Sequence, residues 1–260
     1  MVELLLFGAF VVLLIRHRFF WRASSKPPLP RFMAHRGMKT LSPENTLAAY
    51  QEAIDHGFCA IELDIVSTQD GKLVCSHNFD LERETSGGGW IHQKLYKDLD
   101  GVKTGIYSHP ENSQPIPAFV DTLEAIPRNI FLNIEIKTTQ LLDLSTARLL
   151  KNLIKNNKIK HPFMVSSFNP IVVAFFRLFC PGVSIGFICQ DLEWVWISHW
   201  IHPDYFHLRA DLVTQSMLQI SDRHQLPLNV WTVNTEPAIR WCMKNKLSSI
   251  ITDNHKAIHV

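Results

Sequence analysis

From residue 31 onward, short apolar stretches alternate with helix-like segments, and this alternation constrains the fold more than any other feature. It argues for a parallel sheet joined by helical crossovers. Strands are expected at Phe32 to His35, Cys59 to Val66, Phe131 to Lys137, Phe163 to Ser167, Val183 to Ile188, Tyr205 to Leu208, Asn229 to Val233 and Ile250 to Thr252. Leu73 to His77 reads as a ninth. It follows its predecessor after a six-residue Asp-Gly turn, too short for a parallel crossover, so it is expected as an antiparallel excursion. Eight parallel strands with helices between them predict a (β/α)8 TIM barrel carrying a β-hairpin and loop insertion.

Helices are expected at Glu44 to His56, Leu141 to Asn156, Pro170 to Phe179, Thr214 to His224 and Glu236 to Asn245. Ser42 is read as the N-cap of the first, with Pro43 at its first position and Glu44 in its first turn. Residues 78 to 118, rich in Gly, Ser, His and Pro, are expected as a long binding loop with one short helix around Gln93 to Asp98.

Leu4 to Ile15 is an unbroken apolar run followed by Arg16, His17, Arg18 and then Phe19, Phe20, Trp21. Glu3 precedes the run and the basic cluster follows it, the reverse of a cleaved signal peptide. Residues 1–22 are therefore expected as an uncleaved hydrophobic anchor that spans a membrane or lies on its lipid surface. If it spans, the positive-inside rule places the domain that follows on the cytoplasmic side. Residues 23–30 read as a Pro-rich linker and 31–260 as one barrel domain. The composition supports a sizeable core, with 46% apolar and 19% charged residues. A formal charge of +2 argues against nucleic acid as a partner. Five widely spaced cysteines read as small core residues in a reducing compartment.

Polar residues fall at the carboxyl ends of the expected strands, where barrel enzymes place their chemistry. Side chains alternate along a strand, so Glu62 and Asp64 share one face, as do Glu135 and Lys137, while Ile61, Leu63, Ile65, Ile134 and Ile136 take the other. Three carboxylates aimed into a barrel interior are costly without a neutralising cation. Glu62, Asp64 and Glu135 therefore suit a divalent metal ion, Mg2+ or Ca2+. His35 and His77 suit a general acid/base pair. Arg36 and Lys137 offer positive charge to a substrate anion, and Trp231 offers an apolar wall. Together these groups describe phosphoryl-ester cleavage.

His35-Arg36-Gly37, Pro43-Glu44-Asn45-Thr46, Ile61-Glu62-Leu63-Asp64, Thr68-Gln69-Asp70-Gly71 and His77 resemble the signature block of the glycerophosphodiester phosphodiesterase family. The resemblance continues through Ile116-Pro117, Asn133-Ile134-Glu135-Ile136-Lys137, Ser166-Ser167-Phe168, Val230-Trp231-Thr232-Val233-Asn234 and Ile250-Ile251-Thr252-Asp253. It implies that His35 and His77 are the catalytic pair and that Glu62, Asp64 and Glu135 are the metal ligands. Arg36 and Lys137 would contact the phosphate and Trp231 the substrate, with Glu44 close by. The implied activity is hydrolysis of glycerophosphodiesters or lysophospholipids to glycerol 3-phosphate or lysophosphatidic acid plus an alcohol. Water and the neighbouring glycerol hydroxyl both remain open as nucleophile. Two rival readings are a phosphoinositide phospholipase C-like barrel and a silent membrane-bound module that binds glycerophospholipid head groups. Asn78 departs from the family's usual Asp after His77, Asn254 and His255 depart from its usual ending, and Gly101 to Gln114 fits no common pattern.

Overall fold

The computed structural model describes residues 2–24 and 26–260, with the side chains of residues 2–5 excluded. Met1 and Ser25, which fall in the expected anchor and linker, lie outside the described residues. In chain order the strands are β1 (Phe32–His35), β2 (Ala60–Ser67), β3 (Leu73–Cys75), β4 (Lys103–Thr104), β5 (Gln114–Pro115), β6 (Phe131–Ile136), β7 (Phe163–Ser167), β8 (Ile185–Cys189), β9 (Tyr205–Arg209), β10 (Leu228–Trp231) and β11 (Ser249–Thr252). The helices are α1 (Val2–Phe19), α2 (Leu47–Asp55), α3 (Phe119–Ala125), α4 (Ser145–Lys155), α5 (Pro170–Phe179), α6 (Ser198–Ile201), α7 (Gln215–His224) and α8 (Glu236–Lys244).

Strands β1, β2 and β6 to β11 pair in parallel around a ring. Pairing of β1 with both β11 and β2 closes it, with His35 opposite Glu62. The eight-stranded barrel expected from the alternation is therefore present. β3 pairs antiparallel with β2, as the Asp-Gly turn predicts. The excursion beyond β3 is more ordered than a loop: 3₁₀ turns at Ile91–Gln93 and Tyr96–Leu99 and the small β4–β5 pair enclose a separate apolar cluster of Val66, Val74, Leu81, Ile91, Leu99 and Ile116.

The two faces of each strand divide as the period of two requires. Ile61, Leu63, Ile65, Leu132, Ile134 and Ile136 join the main core between barrel and helices. Met33, Ala60 and Ile251 plug the barrel floor. The inward positions above this floor are polar and buried: Asn133, Ser166, His207 and Asn229.

Three expectations are corrected. α2 starts three residues later than Glu44, because Thr46 rather than Ser42 is its N-cap and accepts from Ala49 N at 3.2 Å. Glu44 is thus outside the helix and free to serve the site. Cys59 is exposed rather than in the core, although all five thiols are unbridged.

The third correction concerns localisation. A membrane-associated domain held on the cytoplasmic side was expected, but no helix among the described residues is long and apolar enough to cross a membrane. The 18 residues of α1 rise only about 27 Å, short of a ~30 Å hydrocarbon core, and its last turn carries Arg16, His17 and Arg18. The end of α1 instead docks on the barrel. The Trp21 ring lies between His202 and His224 at centroid distances of 4.6 and 4.5 Å, and its Nε1 donates to His199 Nδ1 at 3.2 Å. His17 Nε2 donates to the Trp200 carbonyl at 3.1 Å, and Ala23 N to the His224 carbonyl at 2.8 Å.

Candidate active site

The strand ends open into a cavity of about 350 Å³ lined in part by His35, Arg36, Glu62, His77, Glu135, Lys137 and Trp231. Asp64 lies fully buried beneath it, and Glu44 stands at its edge, half-buried against Arg36. All nine residues singled out in the sequence are thus brought to one place.

The turn after β1 positions the first group. Arg36 and Gly37 both have positive φ, 58° and 81°. A Cβ on Gly37 would lie 2.7 Å from the Ala49 carbonyl carbon and oxygen, so only glycine fits so near α2. This turn points Arg36 N at Glu62 Oε2, to which it donates at 3.0 Å. The guanidinium Nη1 donates to both carboxylate oxygens of Glu44 at 2.9 and 3.0 Å, and Nε lies 3.3 Å from Asp64 Oδ2. Lys137 Nζ lies 3.0 Å from Glu135 Oε1 and 3.6 Å from Asp64 Oδ1.

One oxygen each from Glu62, Asp64 and Glu135 lie within 4.8 Å of one another. That spread is about twice a ~2.4 Å bond from Ca2+ to oxygen. Burial, then the charges of Asp64 and Glu135, push the Glu62 carboxyl well above its ordinary range. Burial likewise raises Glu135 to about 7, against the pull of Lys137. Asp64 is the exception: burial would raise it, but Lys137, Arg36 and the Asn45 amide hold it down at about 2. Asp64 Oδ1 is buried with no hydrogen-bond partner among the described residues, and Glu135 Oε1 meets only the Lys137 ammonium. Hard oxygen ligands, mutual repulsion and orphaned lone pairs fit a divalent cation.

The two histidines have different partners. His35 Nδ1 lies 2.9 Å from Asp253 Oδ1, at the end of β11. Asp253 also receives Lys39 Nζ at 2.9 Å and the Asn234 amide at 2.9 Å. Burial would raise the Asp253 carboxyl, but His35 and Lys39 hold it far below its ordinary range. His77 Nδ1 instead lies 3.1 Å from the neutral Asn78 Oδ1. Burial lowers the His77 pKa, and although Asp64 opposes this, Lys137 and Arg36 reinforce it. Trp231 packs edge-on against Phe168 at 5.5 Å, and its Nε1 donates to the His207 carbonyl at 3.2 Å.

Six residues around the site were given no role in the sequence reading, although Asn45, Asn133, Ser166 and Asp253 stand in the motifs quoted there. Asn45 donates to Asp64 Oδ2 at 2.8 Å and accepts from Asp64 N at 3.0 Å, clamping that carboxylate in one rotamer. Asp253 supports His35; as an acid at a strand end it met the rule that found Glu62 and Asp64. Ser166 Oγ donates to Asn133 Oδ1 at 2.9 Å, leaving Asn133 Nδ2 without a partner among the described residues. Asn229 Nδ2 donates to His207 Nε2 at 2.9 Å, and burial keeps that ring neutral, with a pKa of about 3.

Residues 35–257 match the family described as the glycerophosphoryl diester phosphodiesterase family. A glycerophosphodiester phosphodiesterase of Caldanaerobacter subterraneus subsp. tengcongensis is 29% identical over 235 residues, covering 87% of this chain and 95% of its own. One from Bacillus altitudinis is 27% identical over 243 residues, covering 86% and 95%. Among solved structures, an Oleispira antarctica phosphodiesterase in complex with the product sn-glycerol-3-phosphate superimposes with a TM-score of 0.79 at 24% identity, covering 89% of this chain and 98% of that one. With the barrel, the strand-end cavity and a match across nearly the whole domain in agreement, the chain belongs to the glycerophosphoryl diester phosphodiesterase family, whose members are phosphoric diester hydrolases.

Proposed function

We propose that residues 31–260 form a catalytic domain that hydrolyses glycerophosphodiesters, including lysophospholipids, to glycerol 3-phosphate or its acylated form plus an alcohol. The observation that carries this reading is the set of three buried carboxylates within 4.8 Å, flanked by two histidines and two cationic side chains. Glu62, Asp64 and Glu135 would hold Mg2+ or Ca2+, which supplies Lewis-acid stabilisation of charge on the phosphoryl oxygens. Arg36 and Lys137 bind the same anion, and Glu44 keeps the Arg36 fork oriented. Trp231 and Phe168 offer the apolar wall beside it.

The partners of the histidines divide their work. His77, kept neutral by burial, takes the proton of the attacking water or, where the neighbouring glycerol hydroxyl attacks first, of that hydroxyl, with water then opening the cyclic phosphate. Asp253 fixes the His35 ring through its Nδ1, and His35 gives its proton to the leaving alkoxide. The product named for the Oleispira antarctica relative has the chemistry this reading expects. Because the matched relatives are named as glycerophosphodiester phosphodiesterases, the phosphoinositide-cleaving and silent-binding readings are not favoured.

The test is a panel of glycerophosphocholine, glycerophosphoethanolamine and their lysophospholipid counterparts, run with Mg2+, with Ca2+ and with chelator. Turnover should require a divalent cation, and the same cation should raise the melting temperature of the wild type but not of Glu62→Ala. Removing a proton-transfer group should cost on the order of 10²-fold or more, so His35→Ala and His77→Ala should be folded and nearly inactive. Turnover like the wild type's in all three variants would refute the assignment.

A further inference from the structure

A second cavity, of about 440 Å³, adjoins the first and shares Phe168, Ile188 and Gln190 with it. Its far wall comes from three different elements. Leu141 projects from the segment between β6 and α4, Phe187 from β8, and Trp194 and Ile197 from the 3₁₀ turn at Leu192–Ile197. The two cavities differ in chemistry. The first is walled by Arg36, Glu62, Glu135 and Lys137, whereas no residue lining the second carries a formal charge.

Of the three side-chain amides in that lining, Asn169, Gln140 and Gln190, the first is already engaged. Asn169, the N-cap of α5, accepts from Ile171 N at 2.9 Å and donates to Thr138 Oγ1 at 3.1 Å and to the Leu141 carbonyl at 2.8 Å. Side chains that face the space are chiefly Leu, Ile, Phe and Trp, with Leu141 at 58% and Trp194 at 54% exposure. Phe168 and Ile188, which line both cavities, offer an apolar substituent of a phosphodiester in the first a path into the second.

We propose that the second cavity binds the acyl chain of a lysophospholipid whose phosphodiester lies in the first. The proposal rests on the hydrolytic reading above and deepens it by naming the preferred substrate class. A charged head group is a poor occupant, since it would meet neither a cation nor an anion here. A hydrocarbon chain needs neither, and gains by leaving water.

The experiment compares glycerophosphocholine with its butanoyl, hexanoyl and octanoyl lysophosphatidylcholines, all below their micelle-forming concentrations, on the full chain with the supporting cation. KM should fall with every added methylene, by up to about fourfold each, with little change in kcat. Leu141→Asp and Trp194→Asp alter side chains more than half exposed, so the fold tolerates them. Each should raise KM for the octanoyl ester about tenfold, on the scale of nearly two lost methylenes, and leave glycerophosphocholine kinetics unaltered. A KM flat across the series, one that tracks choline against ethanolamine instead of chain length, or variants that impair glycerophosphocholine equally, would overturn the proposal. Titrating the same esters into His77→Ala separates the two claims. Binding that strengthens with chain length without wild-type turnover would defeat only the hydrolytic reading, and chain-independent binding would defeat this one.

Discussion

At the scale of single residues, the two histidines differ in what stands behind them. Asp253 places a full negative charge against His35, while Asn78 offers His77 only an amide dipole. Asn78→Asp would put a carboxylate against His77 Nδ1 and stabilise the imidazolium, raising the pKa of a ring that burial now lowers. The base would then be protonated at a higher pH. The acid limb of the profile of kcat/KM against pH should move upward by on the order of one unit, and an unmoved limb would show that His77 does not act as the base.

Among the elements, the β1–α2 turn carries the tightest steric demand. Gly37→Ala forces a Cβ against the Ala49 carbonyl and into a left-handed backbone, a strain of about 1–3 kcal/mol. Differential scanning calorimetry should find Tm lowered by a few degrees, with weaker phosphate binding through a displaced Arg36; an unchanged Tm would contradict the geometry. This turn also marks where sequence reading succeeds and fails. The strands were legible because their alternation is local, and the Asp-Gly turn reversed β3 as expected. Ser42-Pro43-Glu44 carried every mark of a helix start, yet the chain makes one further turn. Asn45 at φ 58° is recruited by Asp64, a residue 19 positions away, which no local rule reports. α3 and α6, seven and four residues long, are too short to show a helical period. The site residues were legible for the same reason as the strands, since acids on otherwise apolar strands stand out. Asn133, His207 and Asn229 drew no role, because neutral polar groups above the barrel floor have no such contrast.

The molecule as a whole is held at its amino-terminal side by imidazoles. His17, His199, His202 and His224 gather around Trp21, with Arg18, Arg223 and Arg177 nearby; the adjacent Asp204 is already taken by Arg177 and Lys26. Burial, aided by Arg18 and the neighbouring histidines, lowers His199 to about 4. A histidine with a pKa depressed on docking binds fewer protons docked than free, so α1 is held fully above about pH 6.5 and loses its grip as pH falls toward about 4. Limited proteolysis should therefore remove α1 faster at about pH 5 than at neutral pH, and equal rates would discount this fastening. At the opposite end of the barrel, His35 and Asp253 sit 218 positions apart on the strands that close the ring. A growing chain therefore cannot set a carboxylate behind His35 until β11 has left the ribosome and paired with β1.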